Sequence, residues 1–218
     1  MAKPIKTNLR RHSKKGPKTR TGLSLEGIRL AQRKGRKLPK DVKVKGYHSG
    51  KPRTNASLRY EFGAFRAKGG KTYPESRKRA YLSSMTDAQY AALFPMIKKL
   101  GSEEAVMRRW LDGKLPASTL EKPGPVADRI IKKRFGLGQR IARMGAKNRL
   151  LENLSHAWTV EAVFERLTGQ RFDKMHPGTY AREMEGLTVT HYKNGKAVLR
   201  YRGKSFDVTK KLNKILAA

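Results

Sequence analysis

Residues 1–80 carry 25 Lys and Arg against four acidic residues, a surplus of +21 in little over a third of the 218-residue chain. Like charges at this density repel one another and oppose compaction, so the segment calls for a polyanion to settle on. Its content of Leu, Ile, Val and Phe is 12 in 80, below the level at which a highly charged segment buries enough apolar surface to fold alone. The remaining 138 residues are less extreme, with 26 basic and 13 acidic side chains, and they hold 32 of those four apolar types. The contrast predicts a basic arm over residues 1–75, disordered or extended when free, attached to a folded core.

Net charge for the whole chain is +34 and the isoelectric point is near 10.8, a balance typical of nucleic-acid-binding domains. There is no cysteine, which excludes disulfides and thiolate-bound metal. No apolar run reaches the roughly 18–20 residues that span a bilayer, so no membrane partner is expected. The first residues lack the apolar core of a secretory signal. These features predict a cytoplasmic or nucleoid-associated protein, with an organellar matrix as the alternative.

Within the arm, Leu25, Ile28 and Leu30 after Ser24 suggest a short capped helix ending near Gly35. Val42 and Val44, then Leu58, Tyr60 and Phe62, alternate with charged residues, which is strand periodicity and suggests a hairpin. Tyr47, Tyr60 and Phe62 stand among Lys and Arg as candidates for base stacking; the plainer expectation is that they bury against the core.

From residue 86 helical signals become regular. Thr86 and Gln89 have capping-box spacing, Gly101 offers a left-handed exit, and Ser102 caps a second helix. Residues 76–123 therefore read as a helical hairpin. Residues 124–186 read as a basic helical segment, including one long helix reaching Ala157 and a shorter one capped by Thr159. Residues 187–218 read as a β-meander plus a closing helix, with Asn194-Gly195 predicting a type I′ turn and Arg202-Gly203 a second turn. The fold class expected is α+β: a mainly helical core, a C-terminal three-stranded antiparallel meander and a long basic N-terminal arm.

The run Ile97 to Pro116, with its glycine turn followed by Ala105, Val106, Trp110, Gly113 and Lys114, resembles the turn and second helix of a repressor-type helix-turn-helix. That resemblance implies a helix entering the DNA major groove, although Glu103 and Glu104 stand where that helix would meet phosphate. Phosphate contacts are expected from Arg10, Arg11, Lys14, Lys15, Lys18, Arg20, Arg33, Lys34, Arg36, Lys37, Lys51, Arg53, Arg59 and Arg66 in the arm. From the helices, Arg129, Lys132, Lys133, Arg134, Arg140, Arg143, Lys147 and Arg149 join them.

Five histidines, at 12, 48, 156, 176 and 191, lack metal-ligand spacing, and no phosphate-loop motif is present. The sequence thus predicts a non-enzymatic nucleic-acid-binding protein without a cofactor, with DNA slightly favoured. The alternative is a structural RNA-binding component of a ribonucleoprotein such as a ribosome. Other proteins of a nucleoprotein assembly are the further partners expected.

Overall fold

The structure, a computed structural model, describes residues 4–16, 21–74, 76–175 and 181–218. In chain order the elements are β1 (Ile5–Arg11), α1 (Leu25–Lys37), β2 (Lys43–His48), α2 (Pro52–Ala67), β3 (Lys71–Thr72), β4 (Arg77–Lys78), α3 (Asp87–Ala91), α4 (Phe94–Leu100) and α5 (Glu103–Leu111). They continue as α6 (Pro123–Ile130), a π-helical turn (Ile131–Phe135), α7 (Gly136–Arg143), β5 (Arg149–Ser155), α8 (Ala157–Thr168), α9 (Phe172–Met175), β6 (Gly186–His191), β7 (Ala197–Tyr201), β8 (Lys204–Asp207) and α10 (Thr209–Ala217).

Among the described residues the strands form one eight-stranded mixed sheet in the order β3-β2-β5-β1-β6-β7-β8, with β4 also paired to β2. β2, β5 and β1 lie side by side and parallel. β6, β7 and β8 continue the sheet antiparallel from β1. One face buries Val44, Leu150 and Leu154 against Ala31, Leu58, Phe62 and Phe65 of α1 and α2. The other buries Leu9, Leu151, Leu187 and Val189 against Val126, Ile130, Phe135, Val160, Val163 and Phe164 of the helices from α6 to α8. This is a three-layer α/β fold.

The expected α+β class is therefore corrected. The meander is present, but it is the antiparallel flank of a much larger sheet. The basic arm is not an arm: Ile5, Thr7 and Leu9 of β1 are fully buried between β5 and β6. Charge repulsion loses there because the strand needs only alternate apolar residues, and because Arg10 is neutralised inside the core. The hairpin expected from Val42 to Phe62 is likewise replaced: Val44 lies in β2, whereas Leu58 and Phe62 share one face of helix α2 at i, i+4. Residues 149–155 are the central strand β5 rather than the end of a long helix, and α8 is N-capped by His156, not Thr159.

Several local signals match. Ser24 caps α1 through the Gly27 amide, Thr86 and Gln89 form the reciprocal capping box, Gly101 has φ 79°, and Ser102 caps α5. The Asn194-Gly195 turn does connect β6 to β7, but only Gly195 has positive φ, with its amide bonded to the Tyr192 carbonyl at 3.0 Å. The two consecutive positive φ values of a type I′ turn occur instead at Arg202 and Gly203. Gly136 and Gly138 lie inside the continuous helical run from the π-helical turn into α7. Gly138 lets α7 lie directly on the sheet, where a Cβ would overlap Thr7 Oγ1 and the His191 ring.

Glu161 of α8 is 2 % exposed and accepts a hydrogen bond from the Ala181 amide at 3.0 Å. Burial pushes its carboxyl up to about 8, against the opposing amide bond. A carboxyl raised in the folded state stabilises the protein fully below its unfolded value and loses that contribution as pH rises through the folded one. Wild-type melting temperature should therefore fall between pH 7 and pH 9, and Glu161→Gln, which keeps the acceptor oxygen, should flatten that fall. Thermal melts followed by circular dichroism across this range check it; identical slopes would refute the assignment.

Candidate active site

Three parallel strands deliver the site. Each of β1, β2 and β5 ends at the same edge of the sheet, and the residues just beyond their carboxyl ends converge in the crevice where open α/β sheets bind ligands. β1 delivers Arg11 and His12. Lys51 caps α2 and Arg53 lies in its first turn, and β5 hands over directly to His156 at the start of α8. These side chains, with Lys15, Ser83, Ser84, Met85, Thr86, Asp87, Tyr90, Glu103 and Trp158, line a pocket of about 110 Å³. The amino ends of α2 and α8 open at the same edge and add their partial positive charge.

His12 is 3 % exposed. Its Nδ1 lies 2.6 Å from the Ser13 carbonyl oxygen, which can only accept, so Nδ1 carries the proton. Nε2 is therefore the lone-pair nitrogen, and it accepts from Arg53 Nε at 3.0 Å. The His156 ring meets His12 edge-on with centroids 5.2 Å apart. Its Nε2 is 3.2 Å from Ser49 Oγ, which in turn contacts Thr54 Oγ1 at 3.1 Å. Burial pushes His12 down to about 3, and the charges of Arg53, Arg11 and Lys15 add to the shift. Burial also drives His156 well below the ordinary histidine value, helped by His12 and Arg53. Both rings are thus neutral at pH 7, and the four cations Arg11, Lys15, Lys51 and Arg53 face them from the pocket wall.

Two carboxylates share this wall. Asp87 is exposed and ion-paired to Lys51 Nζ at 2.6 Å, and that bond holds its carboxyl below the usual range. Glu103 accepts from Tyr90 Oη and from Trp158 Nε1, each at 3.1 Å. The arrangement presents an uncharged imidazole lone pair to an anion held by guanidinium and ammonium groups. Among the described residues no cluster of His, Cys, Asp or Glu that could hold a metal ion occurs, and no helix is long and apolar enough to cross a membrane.

Of the residues expected to touch phosphate, the structure brings Arg11, Lys15, Lys51 and Arg53 together here. Arg10 and Arg134 are buried instead, at 7 % and 3 % exposure. Arg134 donates to Asn153 at 2.8 Å and lies 3.4 Å over the Tyr47 ring. Lys14 pairs with Glu26, and Arg129 with Glu121. Arg33, Lys34, Arg36 and Lys37 lie on α1, while Arg59 and Arg66 line a separate groove beside α2. Lys132, Arg140 and Arg143 line another groove beside Leu216, and Lys133 sits 4.8 Å over the Tyr81 ring. Arg149 opens β5, so it and the preceding Lys147 lie at the end of that strand away from the pocket. Lys18 and Arg20 fall outside the described residues. The candidate stacking rings are packed: Tyr47 and Phe62 are buried, and Tyr60 packs half-buried beside α1.

No motif in the sequence singles out His12 or His156. The available signal was position: a histidine immediately after an apolar-alternating run. His12 follows Ile5, Thr7 and Leu9, but His156 follows a run whose period reads as helical.

No family model matches the chain, and no curated protein matches it. Solved structures do. Bacillus stearothermophilus YhfR is similar at 11% identity and a TM-score of 0.53, over 94% of this chain and 99% of that one. Mycobacterial hydrolase 1 is similar at 12% identity and 0.52, over 94% and 100%. A mycobacterial glucosyl-3-phosphoglycerate phosphatase with VO3 is similar at 14% and 0.51, over 92% and 98%. The likeness is one of fold, and it spans nearly the whole of each chain. It overturns the expectation of a non-enzymatic nucleic-acid binder, whether DNA-directed or ribonucleoprotein: the shared fold is that of phosphatases and hydrolases. The helix-turn-helix reading falls with it, since the amino end of α5 turns Glu103 into the pocket.

Proposed function

We propose that this protein is a phosphatase that transfers a phosphoryl group to His12 Nε2 and then to water. The observation that carries the reading is the tautomer. With Nδ1–H tied to the Ser13 carbonyl, Nε2 is fixed as the nucleophile and points at Arg53 within a pocket of four cations. An anionic phosphate entering there gains charge-assisted hydrogen bonds from Arg11, Arg53 and the lysines, and its approach to a neutral imidazole meets no like charge. The fold neighbour that complexes VO3 is a phosphatase, which supports a phosphoryl-transfer reading of this fold.

In the first step Nε2 attacks phosphorus as the ester P–O bond breaks, and the alkoxide leaving group takes a proton from Glu103. His12 keeps its Nδ1 proton, so the phosphoryl-imidazole carries the positive charge that the Ser13 carbonyl stabilises. In the second step water attacks phosphorus, returns a proton to the Glu103 carboxylate, and releases orthophosphate with His12 restored. Asp87 stays paired with Lys51, which holds its carboxyl ionised. His156, neutral, is held by Ser49 at Nε2 and accepts from Arg53 Nη2 at Nδ1, 3.5 Å away, so it orients the Arg53 guanidinium that meets the phosphoryl oxygens.

The protein should hydrolyse p-nitrophenyl phosphate, and orthovanadate should inhibit competitively. Phosphate release measured on the purified chain tests this; no turnover across a panel of aryl and alkyl phosphomonoesters between pH 5 and 8 would overturn it.

A further inference from the structure

The Glu103 carboxylate is held on both oxygens, and by aromatic donors from two different elements. Tyr90 Oη, from α3, bonds Oε2; Trp158 Nε1, from α8, bonds Oε1. Neither donor is loosely held. Trp158 is 3 % exposed, lies one residue after the helix start that presents His156, and packs on Trp110 of α5 with ring centroids 5.6 Å apart. Trp110 is itself anchored by its Nε1 to the Glu121 carbonyl at 2.7 Å. Tyr90 meets Phe94 edge-to-face at 5.5 Å. Packing therefore docks α5 on α8, and the two aromatic donors set the angle at which Glu103 enters the pocket.

The donor chemistry suits a group that cycles its proton. An indole N–H donates whether the carboxyl is protonated or not, while a phenol can donate to the carboxylate and accept from the acid. The clamp thus survives both halves of a catalytic cycle. Such a device has value only where the leaving group needs a proton. An alkoxide does; a p-nitrophenolate, with its low proton affinity, does not.

We infer that Tyr90 and Trp158 are positioning residues that aim Glu103 at the leaving oxygen, and that the site is built for alkyl phosphomonoesters. This rests on the phosphatase reading above. The test compares glycerol phosphate with p-nitrophenyl phosphate in the intact protein. Glu103→Gln should lower kcat on glycerol phosphate by roughly 10²–10³-fold while lowering it on p-nitrophenyl phosphate by less than about ten-fold. Tyr90→Phe and Trp158→Phe should show the same bias at roughly ten-fold on the alkyl ester. Equal losses on both esters in the folded Tyr90→Phe variant would overturn the clamp. An unmodified protein that cleaves the aryl ester but not glycerol phosphate would overturn the substrate class while leaving the phosphatase reading intact; cleavage of neither would overturn both.

Discussion

Replacing His12 with Asn is expected to lower kcat/KM for p-nitrophenyl phosphate by at least about 10⁴-fold, the scale seen when a covalent nucleophile is removed. The expectation follows from the division of labour in the pocket. Arg11, Arg53 and the two lysines bind charge, and they remain in the variant, so substrate affinity should change little and the loss should fall on kcat. The Asn amide can still donate to the Ser13 carbonyl, so the end of β1 keeps its local bond and the fold should persist by circular dichroism. A second readout isolates chemistry from binding. Quenching the wild-type protein during turnover of labelled substrate should trap an acid-labile, base-stable phosphoryl group, and the Asn variant should trap none. An Asn variant retaining activity within ten-fold would remove His12 from the reaction.

The local signals in the sequence were short-range, and they were legible where short-range physics decides. Ser24, Thr86 and Ser102 cap helices because a side-chain oxygen beside a free amide is a local event. The strand β5 was not legible. Its residues Leu150, Leu151 and Leu154 face both sheet faces, so a strand buried on both sides shows no alternation and reads like a helix stripe. That misreading hid His156, because a histidine in a helix has no reason to meet His12. The charge was misleading for a different reason. It was summed along the chain, whereas the fold spends it in pairs. Arg108 alone binds Glu165 at 2.7 Å, Asp112 at 2.8 Å and Asp173 at 3.3 Å, and Arg166 pairs with Asp128 at 2.7 Å. Four of the residues flagged for phosphate, Arg11, Lys15, Lys51 and Arg53, do line one pocket, because three of them follow the carboxyl ends of parallel strands, a placement that charge alone does not reveal.

Replacing Arg10 with Met should destabilise the fold by about 3–5 kcal/mol at pH 7.5, the cost of stranding a buried charge, which for a domain of this size lowers the melting temperature by roughly 6–20 °C. Arg10 stands between two fully buried carboxylates: it bonds Glu61 of α2 and, through Nε at 2.9 Å, Glu152 of β5. Asn8 Nδ2 also donates to Glu152. Burial already pushes Glu61 up to about 7 despite Arg10, so without the guanidinium Glu61 must take up a proton to stay inside. That fixes the sign of the pH response. With Glu61 raised further, the folded state binds more protons than the unfolded chain, so the variant should regain stability as pH falls from 8 to 5, and its deficit against wild type should narrow. Urea unfolding at pH 5 and pH 8 measures both quantities. The triple variant Arg10→Met, Glu61→Gln, Glu152→Gln removes every charge at once, and should recover much of the loss at pH 8. A single variant as stable as wild type at pH 8, or a deficit that widens on acidification, would show that the triad does not hold β1 in place. Since Arg10 immediately precedes Arg11 and His12, the end of the strand that presents His12 depends on that triad.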